Sequence, residues 1–131
     1  MARRVLVIED SEVTQRVIRV CLQSAGLEVA TRGDGPSGLE AAVEDPPDLL
    51  ILDIGLPDMD GWEVLDRLRS HERTREVPVL VLTIHSEEEN RQRAARDGAN
   101  AFMAKPFRLD EFRRIALGLL KSSRQAGLGI A

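Results

Sequence analysis

The sequence predicts an α/β fold: a parallel sheet of five strands with helices packed on both faces. Two patterns carry that prediction. Short apolar runs such as Val5–Ile8, Leu49–Leu52 and Val79–Leu82 are each closed by polar or turn-forming residues, as strands buried on both faces are. Segments of helical periodicity lie between them, so strand and helix alternate five times, which implies a parallel sheet. The 131 residues suffice for one domain with a proper core, and neither a repeat nor a low-complexity tract divides them.

The first strand, Val5–Ile8, ends at Glu9-Asp10, and Ser11 caps the helix that follows. In that helix Val17, Ile18, Cys21, Leu22 and Ala25 form one apolar face, and Gly26 ends it. Val13 and Val20 fall off this face. Leu27–Thr31 reads as the second strand and Gly33-Asp34-Gly35-Pro36 as a turn. A helix over Ser37–Glu44 turns Leu39, Ala42 and Val43 inward until Pro46-Pro47 stops it. The third strand, Leu49–Leu52, runs into Asp53 and a loop of Gly, Pro and Asp. A helix over Gly61–Glu72 buries Val64, Leu65 and Leu68, with Trp62 in its first turn. The fourth strand, Val79–Leu82, ends at Thr83.

Ser86–Asp97 reads as a fourth helix that is almost wholly polar. Glu87 with Arg91 and Glu89 with Arg93 stand four residues apart in the favourable orientation. Only Ala94 and Ala95 face inward, and Gly98 closes the helix. Burying so little, it is weakly held. Ala101–Ala104 is the fifth strand, ended by Lys105-Pro106. The last helix, Leu109–Lys121, sets Leu109, Phe112, Ile115, Ala116, Leu119 and Leu120 on one stripe. Residues 1–121 form the domain, and 122–131 a frayed tail.

Composition narrows the function classes. A net charge of −4 argues against direct nucleic-acid binding. No apolar run approaches the roughly 20 residues that cross a bilayer, and the N-terminus runs into a strand without a signal-peptide pattern. The single cysteine, Cys21, excludes an internal disulfide and fits a reducing cytoplasm. His71 and His85 have no cysteine partners at metal-ligand spacing and read as solvated loop residues.

What the chain does is written at the carboxyl ends of its strands. The first ends in Glu9 and Asp10, the third in Asp53, the fourth in Thr83 and the fifth in Lys105. In a parallel sheet these ends share one edge, where open α/β sheets place their binding crevice. Any one of them alone reads as a cap, a turn or a solvated side chain; five on one edge do not. Carboxylates so close repel unless a cation sits among them, and a few solvent-open oxygen ligands suit Mg²⁺. Asp53 then has an oxygen free to attack phosphorus, while Lys105 neutralises a phosphoryl oxygen and the Thr83 hydroxyl hydrogen-bonds another.

These residues carry a resemblance. Glu9-Asp10, Pro47-Asp48-Leu49-Leu50-Ile51-Leu52-Asp53, Leu56-Pro57-Asp58-Met59-Asp60-Gly61, Thr83 and Lys105-Pro106-Phe107 together resemble the receiver domains of two-component response regulators, the CheY-like family. The likeness spans Arg4 to about Lys121. It implies the flavodoxin-like strand order 2-1-3-4-5 and makes Asp53 the phosphoacceptor of a phosphorelay, receiving phosphate from a histidine kinase or a histidine phosphotransfer protein. It further implies that Glu9, Asp10 and Asp53, with the backbone carbonyl of Gly55, hold Mg²⁺, and that the Lys105-Pro106 bond is cis. Thr83 and Phe102 match the family's switch pair, through which the face of the fourth helix, fifth strand and fifth helix changes shape to control a downstream protein or a homodimer. Such a domain is a regulatory module, not an enzyme beyond its own phosphorylation and dephosphorylation.

Three departures from the family pattern stand out. Ile84 is bulkier than the usual small residue after Thr83, Phe102 lacks a tyrosine hydroxyl, and Glu9 replaces an aspartate. In the family the first helix helps to dock the phosphodonor, which gives Val13 and Val20 a role as part of that contact. The competing readings are weaker. A dehalogenase-type phosphatase wants Asp-x-Asp after its first strand, and the Glu9-Asp10-Ser11-Glu12 stretch lacks it. A flavin-binding domain wants a Gly- and hydroxyl-rich loop there, and this loop is acidic. The sequence leaves open whether the domain stands alone or belongs to a longer regulator or hybrid kinase.

Overall fold

Strands β1 (Arg4–Ile8), β2 (Glu28–Arg32), β3 (Leu49–Leu52), β4 (Val79–Thr83) and β5 (Ala101–Ala104) alternate with helices α1 (Glu12–Gln23), α2 (Gly35–Glu44), α3 (Gly61–Ser70), α4 (Glu88–Arg96) and α5 (Leu109–Gly129). The computed structural model describes residues 3–56 and 59–129, with the backbone alone over 123–129. The readings placed on Met1, Ala2, Pro57, Asp58, Ile130 and Ala131 lie outside the described residues.

All strands pair in parallel, in the order β2-β1-β3-β4-β5. The central strands β3 and β4 are buried along their whole length, as their unbroken Leu, Ile and Val content requires. One core lies between the sheet and α2, α3 and α4, around Ile8, Leu52, Leu65 and Val81. The other lies against α1 and α5, around Ile18, Leu22, Ile51, Leu82 and Phe112. Ser11, Asp34 and Asp60 each cap a helix with a side-chain oxygen. Helix α4 has no such cap.

Several local expectations shift. Asp34 accepts from the Ser37 amide at 2.8 Å, so α2 starts at Gly35 with Pro36 in its first turn, where a missing N–H costs nothing. Val17 of the expected inner face of α1 and Leu109 of that of α5 are exposed, at 37% and 47%; they border a shared apolar groove instead. Ala95 is exposed and Ala94 alone is buried on α4. The pairs Glu87–Arg91 and Glu89–Arg93 do not form. Glu87 precedes the helix and accepts from the Asn90 amide group, while Arg91 and Arg93 lie over aromatic rings and pair with Glu88 and Asp97. Helix α5 continues past Lys121 to Gly129, through the stretch expected to fray; Ser122–Gln125 contains no breaker, and an isolated glycine weakens a helix without ending it.

Candidate functional site

Sheet register builds the site. Ile8 aligns with Leu52, so Glu9 and Asp53 follow side by side, and the Asp53 amide donates to the Ile8 carbonyl at 3.0 Å. Thr83 aligns with Ala104, and the Lys105 amide donates to the Thr83 carbonyl at 2.9 Å. The five residues picked from the strand ends therefore do share one edge.

Glu9 and Asp53 are buried, at 2% and 7% exposure, while Asp10 is exposed. A carboxylate oxygen from each of the three lies within 4.8 Å of the others. Each buried carboxylate is held twice. Glu9 accepts from the Ser11 amide (3.0 Å) and Asp53 Oδ1 from the Gly55 amide (2.8 Å). Their other oxygens share the Lys105 ammonium, 3.0 Å from Asp53 Oδ2 and in a short ion pair with Glu9 Oε1. The Lys105-Pro106 peptide bond is cis, as the resemblance implied.

The charges show a strained balance. Burial raises the Glu9 pKa above its ordinary value, and the Asp53 charge adds to the rise, against the lowering hydrogen bonds from Lys105 and Ser11. Burial works to lower the Lys105 pKa, but hydrogen bonds and charge from Glu9 and Asp53 outweigh it and the net shift is upward. One ammonium thus serves two buried carboxylates with a third at the rim. A hard divalent cation fits that donor set: oxygens only, few, and open to water on the Asp10 side.

Thr83 is fully buried, and its Oγ1 accepts from the His85 amide at 3.1 Å. Phe102 is half-buried against the α2–α3–α4 core, with the Arg91 guanidinium 5.2 Å from its ring centroid. Ile84 is 67% exposed. Val13 and Val20 are exposed on α1, and Val20, though not Val13, lines the groove between α1 and the start of α5 with Val17, Cys21 and Leu109.

One site residue escaped the sequence reading. His85 is solvated, as expected, yet its ring lies against Gly55: Cδ2 and Nε2 are each 3.3 Å from where a Gly55 Cβ would stand. Its place two residues beyond Thr83, on the same sheet edge, was the available signal.

The family model of the response regulator receiver domain matches residues 5–116. The chain belongs to that family. This receiver domain is 42% identical over 108 residues to the transcriptional regulatory protein KdpE of Mycobacterium tuberculosis, covering 82% of this chain and 46% of the relative. It is 30% identical to the polar-differentiation response regulator DivK of Brucella ovis, over 86% of this chain and 91% of that one. It thus spans about half the length of KdpE and nearly all of DivK. Among solved structures it resembles the receiver domain of sensor histidine kinase PA1611 from Pseudomonas aeruginosa, with a TM-score of 0.84 and 30% identity over 92% of this chain and 99% of that one. That structure has a magnesium ion coordinated in its active-site cleft. No helix among the described residues of the receiver domain is long and apolar enough to cross a membrane.

Proposed function

We propose that Asp53 is the phosphoacceptor of a two-component phosphorelay, with Mg²⁺ as cofactor. The observation that carries the reading is the Lys105 ammonium shared between buried Asp53 and Glu9, beside Asp10. Receiver domains take phosphate from histidine kinases, and a histidine kinase or histidine phosphotransfer protein is the donor here. An Asp53 oxygen attacks the phosphorus of a phosphohistidine, the P–N bond breaks, and the imidazole leaves with the electron pair. Glu9, Asp10 and Asp53, with the Gly55 carbonyl, would hold Mg²⁺, whose charge offsets the repulsion between carboxylate and phosphoryl oxygens. Lys105 turns from Asp53 to a phosphoryl oxygen. The Thr83 hydroxyl is already an acceptor for the His85 amide, so its own proton is free to donate to another.

The output belongs to the α4–β5–α5 face. Thr83 and Phe102 act as the switch pair, and the face then engages a downstream protein or a second copy, not nucleic acid. The domain works in the cytoplasm as a regulatory module whose only chemistry is phosphoryl gain and loss at Asp53. Ile84, exposed and directly after Thr83, sets how long the phosphoryl group stays.

The test uses Mg²⁺ with acetyl phosphate or beryllofluoride, a phosphoryl analogue, and follows the fluorescence of Trp62. The wild type responds and carries one phosphoryl group per chain, and Asp53→Ala loses both. A response that survives in Asp53→Ala, or repeated turnover of phosphate esters, overturns the reading.

A further inference from the structure

Helix α4 is attached to the rest of the domain in an unusual way. It buries one small side chain, Ala94, and its N-terminal end, next to Thr83, has no side-chain cap. Residues 84–89 are all exposed. What holds the helix instead comes from β5, where the Arg91 guanidinium lies 5.2 Å from the centroid of the Phe102 ring, and from α3. The Arg93 guanidinium lies 4.5 Å from the centroid of the Trp62 ring. At the other end, half-buried Arg69 donates to the Gly98 carbonyl (3.0 Å) and to Asn100 Oδ1 (3.1 Å), while also binding the Thr74 and Arg75 carbonyls. Asn100 Oδ1 in turn accepts from the Val79 amide at 2.9 Å. Gly98 itself has a φ of 100°, which a side chain would strain.

The two attachments to α3 differ in strength. Arg69 sews the turn after α4 to the α3–β4 loop by four hydrogen bonds. Arg93, itself exposed, meets the half-buried Trp62 ring by charge against the ring face. One end is therefore fixed, the body rests on two Arg–ring contacts that can open, and the other end has no side-chain cap.

We propose that the Arg93–Trp62 contact is a latch that holds α4 in its resting position, with the Arg69-bound turn at Gly98 as the hinge about which α4 swings when Asp53 is phosphorylated. The inference rests on the phosphoacceptor reading for its trigger, but the latch itself does not. Trp62 lies in the first turn of α3, directly after Gly61, which packs on Ile54, the neighbour of Asp53. The latch thus ties the acceptor loop to the output helix by a route separate from Thr83 and Phe102. A contact made only in the resting state opposes switching by its own free energy, so its removal tightens any ligand that prefers the switched state by the same factor.

The experiment has two readouts. Hydrogen exchange of the α4 amides in the ligand-free protein reports the latch; calorimetric titration of beryllofluoride with Mg²⁺ reports the switch. Arg93→Gln raises α4 exchange and tightens beryllofluoride by about two- to fivefold, the worth of an exposed cation–π contact. Arg96→Gln, on the same helix with no aromatic partner, changes neither. Arg93→Gln added to Trp62→Leu gives no further change in either readout, which separates the ring contact from a general loss of charge. Unchanged exchange in Arg93→Gln overturns the latch. Faster exchange with unchanged beryllofluoride affinity overturns its link to switching. A wild type that binds no beryllofluoride overturns the phosphoacceptor reading, and with it the trigger, while the exchange rates still decide the latch.

Discussion

Single residues show how little room the site leaves. At Gly61 an added Cβ would stand 2.2 Å from the Ile54 Cα, a backbone atom that cannot swing aside. Gly61→Ala therefore destabilises the domain by about 3 kcal/mol, at the upper end of overpacking costs, and displaces the loop that carries Asp53. Gly118 is the contrast: its Cβ would meet nothing within 4 Å, and in the exposed middle of α5 Gly118→Ala stabilises by about 0.5–1 kcal/mol. Urea denaturation of the two variants checks both signs, and equal midpoints would refute the contact argument. The sequence places both glycines within expected helices and does not tell their surroundings apart. Which glycine is pressed against backbone depends on a long-range approach that no local pattern encodes. The reverse holds for Glu9, Asp10, Asp53, Thr83 and Lys105. Each follows an apolar strand directly, so reading the strand ends reads the site. His85 lay outside that rule, because its ring reaches Gly55 across a loop whose path the sequence does not state.

Elements were legible where the apolar pattern was dense. Strands β3 and β4 and the buried faces of α1, α3 and α5, apart from Val17 and Leu109, follow from their residues. Helix α4 has almost no apolar pattern, and there the expected ion pairs gave way to Arg–ring contacts that depend on where β5 and α3 stand. The same limit applies to Val13 and Val20, which are apolar without a core to join, 75% and 61% exposed. We propose that the phosphodonor covers them when it docks on α1. Val13→Glu with Val20→Glu is expected to move stability by less than about 0.5 kcal/mol and to slow transfer from the donor at least tenfold. Phosphorylation by acetyl phosphate, which needs no docking, stays at the wild-type rate. Two rates falling together would remove α1 from the donor contact.

At the scale of the whole molecule, the site sets function against stability. Burial and the Asp53 charge raise the Glu9 pKa above its ordinary 4.5. The folded state then holds a proton that the unfolded chain has already released. Stability is fully present below pH 4.5 and is lost as pH rises through the elevated Glu9 value. Once Glu9 ionises in the absence of metal, the domain therefore carries the cost of a buried, crowded carboxylate. Removing that charge helps: Glu9→Gln raises stability by about 1 kcal/mol in metal-free neutral buffer, the usual scale for relieving a site built for function. Mg²⁺ is expected to reverse the balance in the wild type, because the proposed site exists in the assembled trio and not in the unfolded chain. At a hundredfold excess over its dissociation constant it adds about 2.7 kcal/mol, which raises Tm by about 5–10 °C for a domain of this size. Glu9→Gln keeps little of that gain. Thermal melts of both proteins at pH 7, with Mg²⁺ and with chelator, give four values whose order is fixed: wild type with chelator lowest, Glu9→Gln nearly independent of Mg²⁺, wild type with Mg²⁺ highest. A wild type indifferent to Mg²⁺, or a Glu9→Gln less stable than wild type in chelator, would show that the acidic trio is not held together at a cost that the metal relieves.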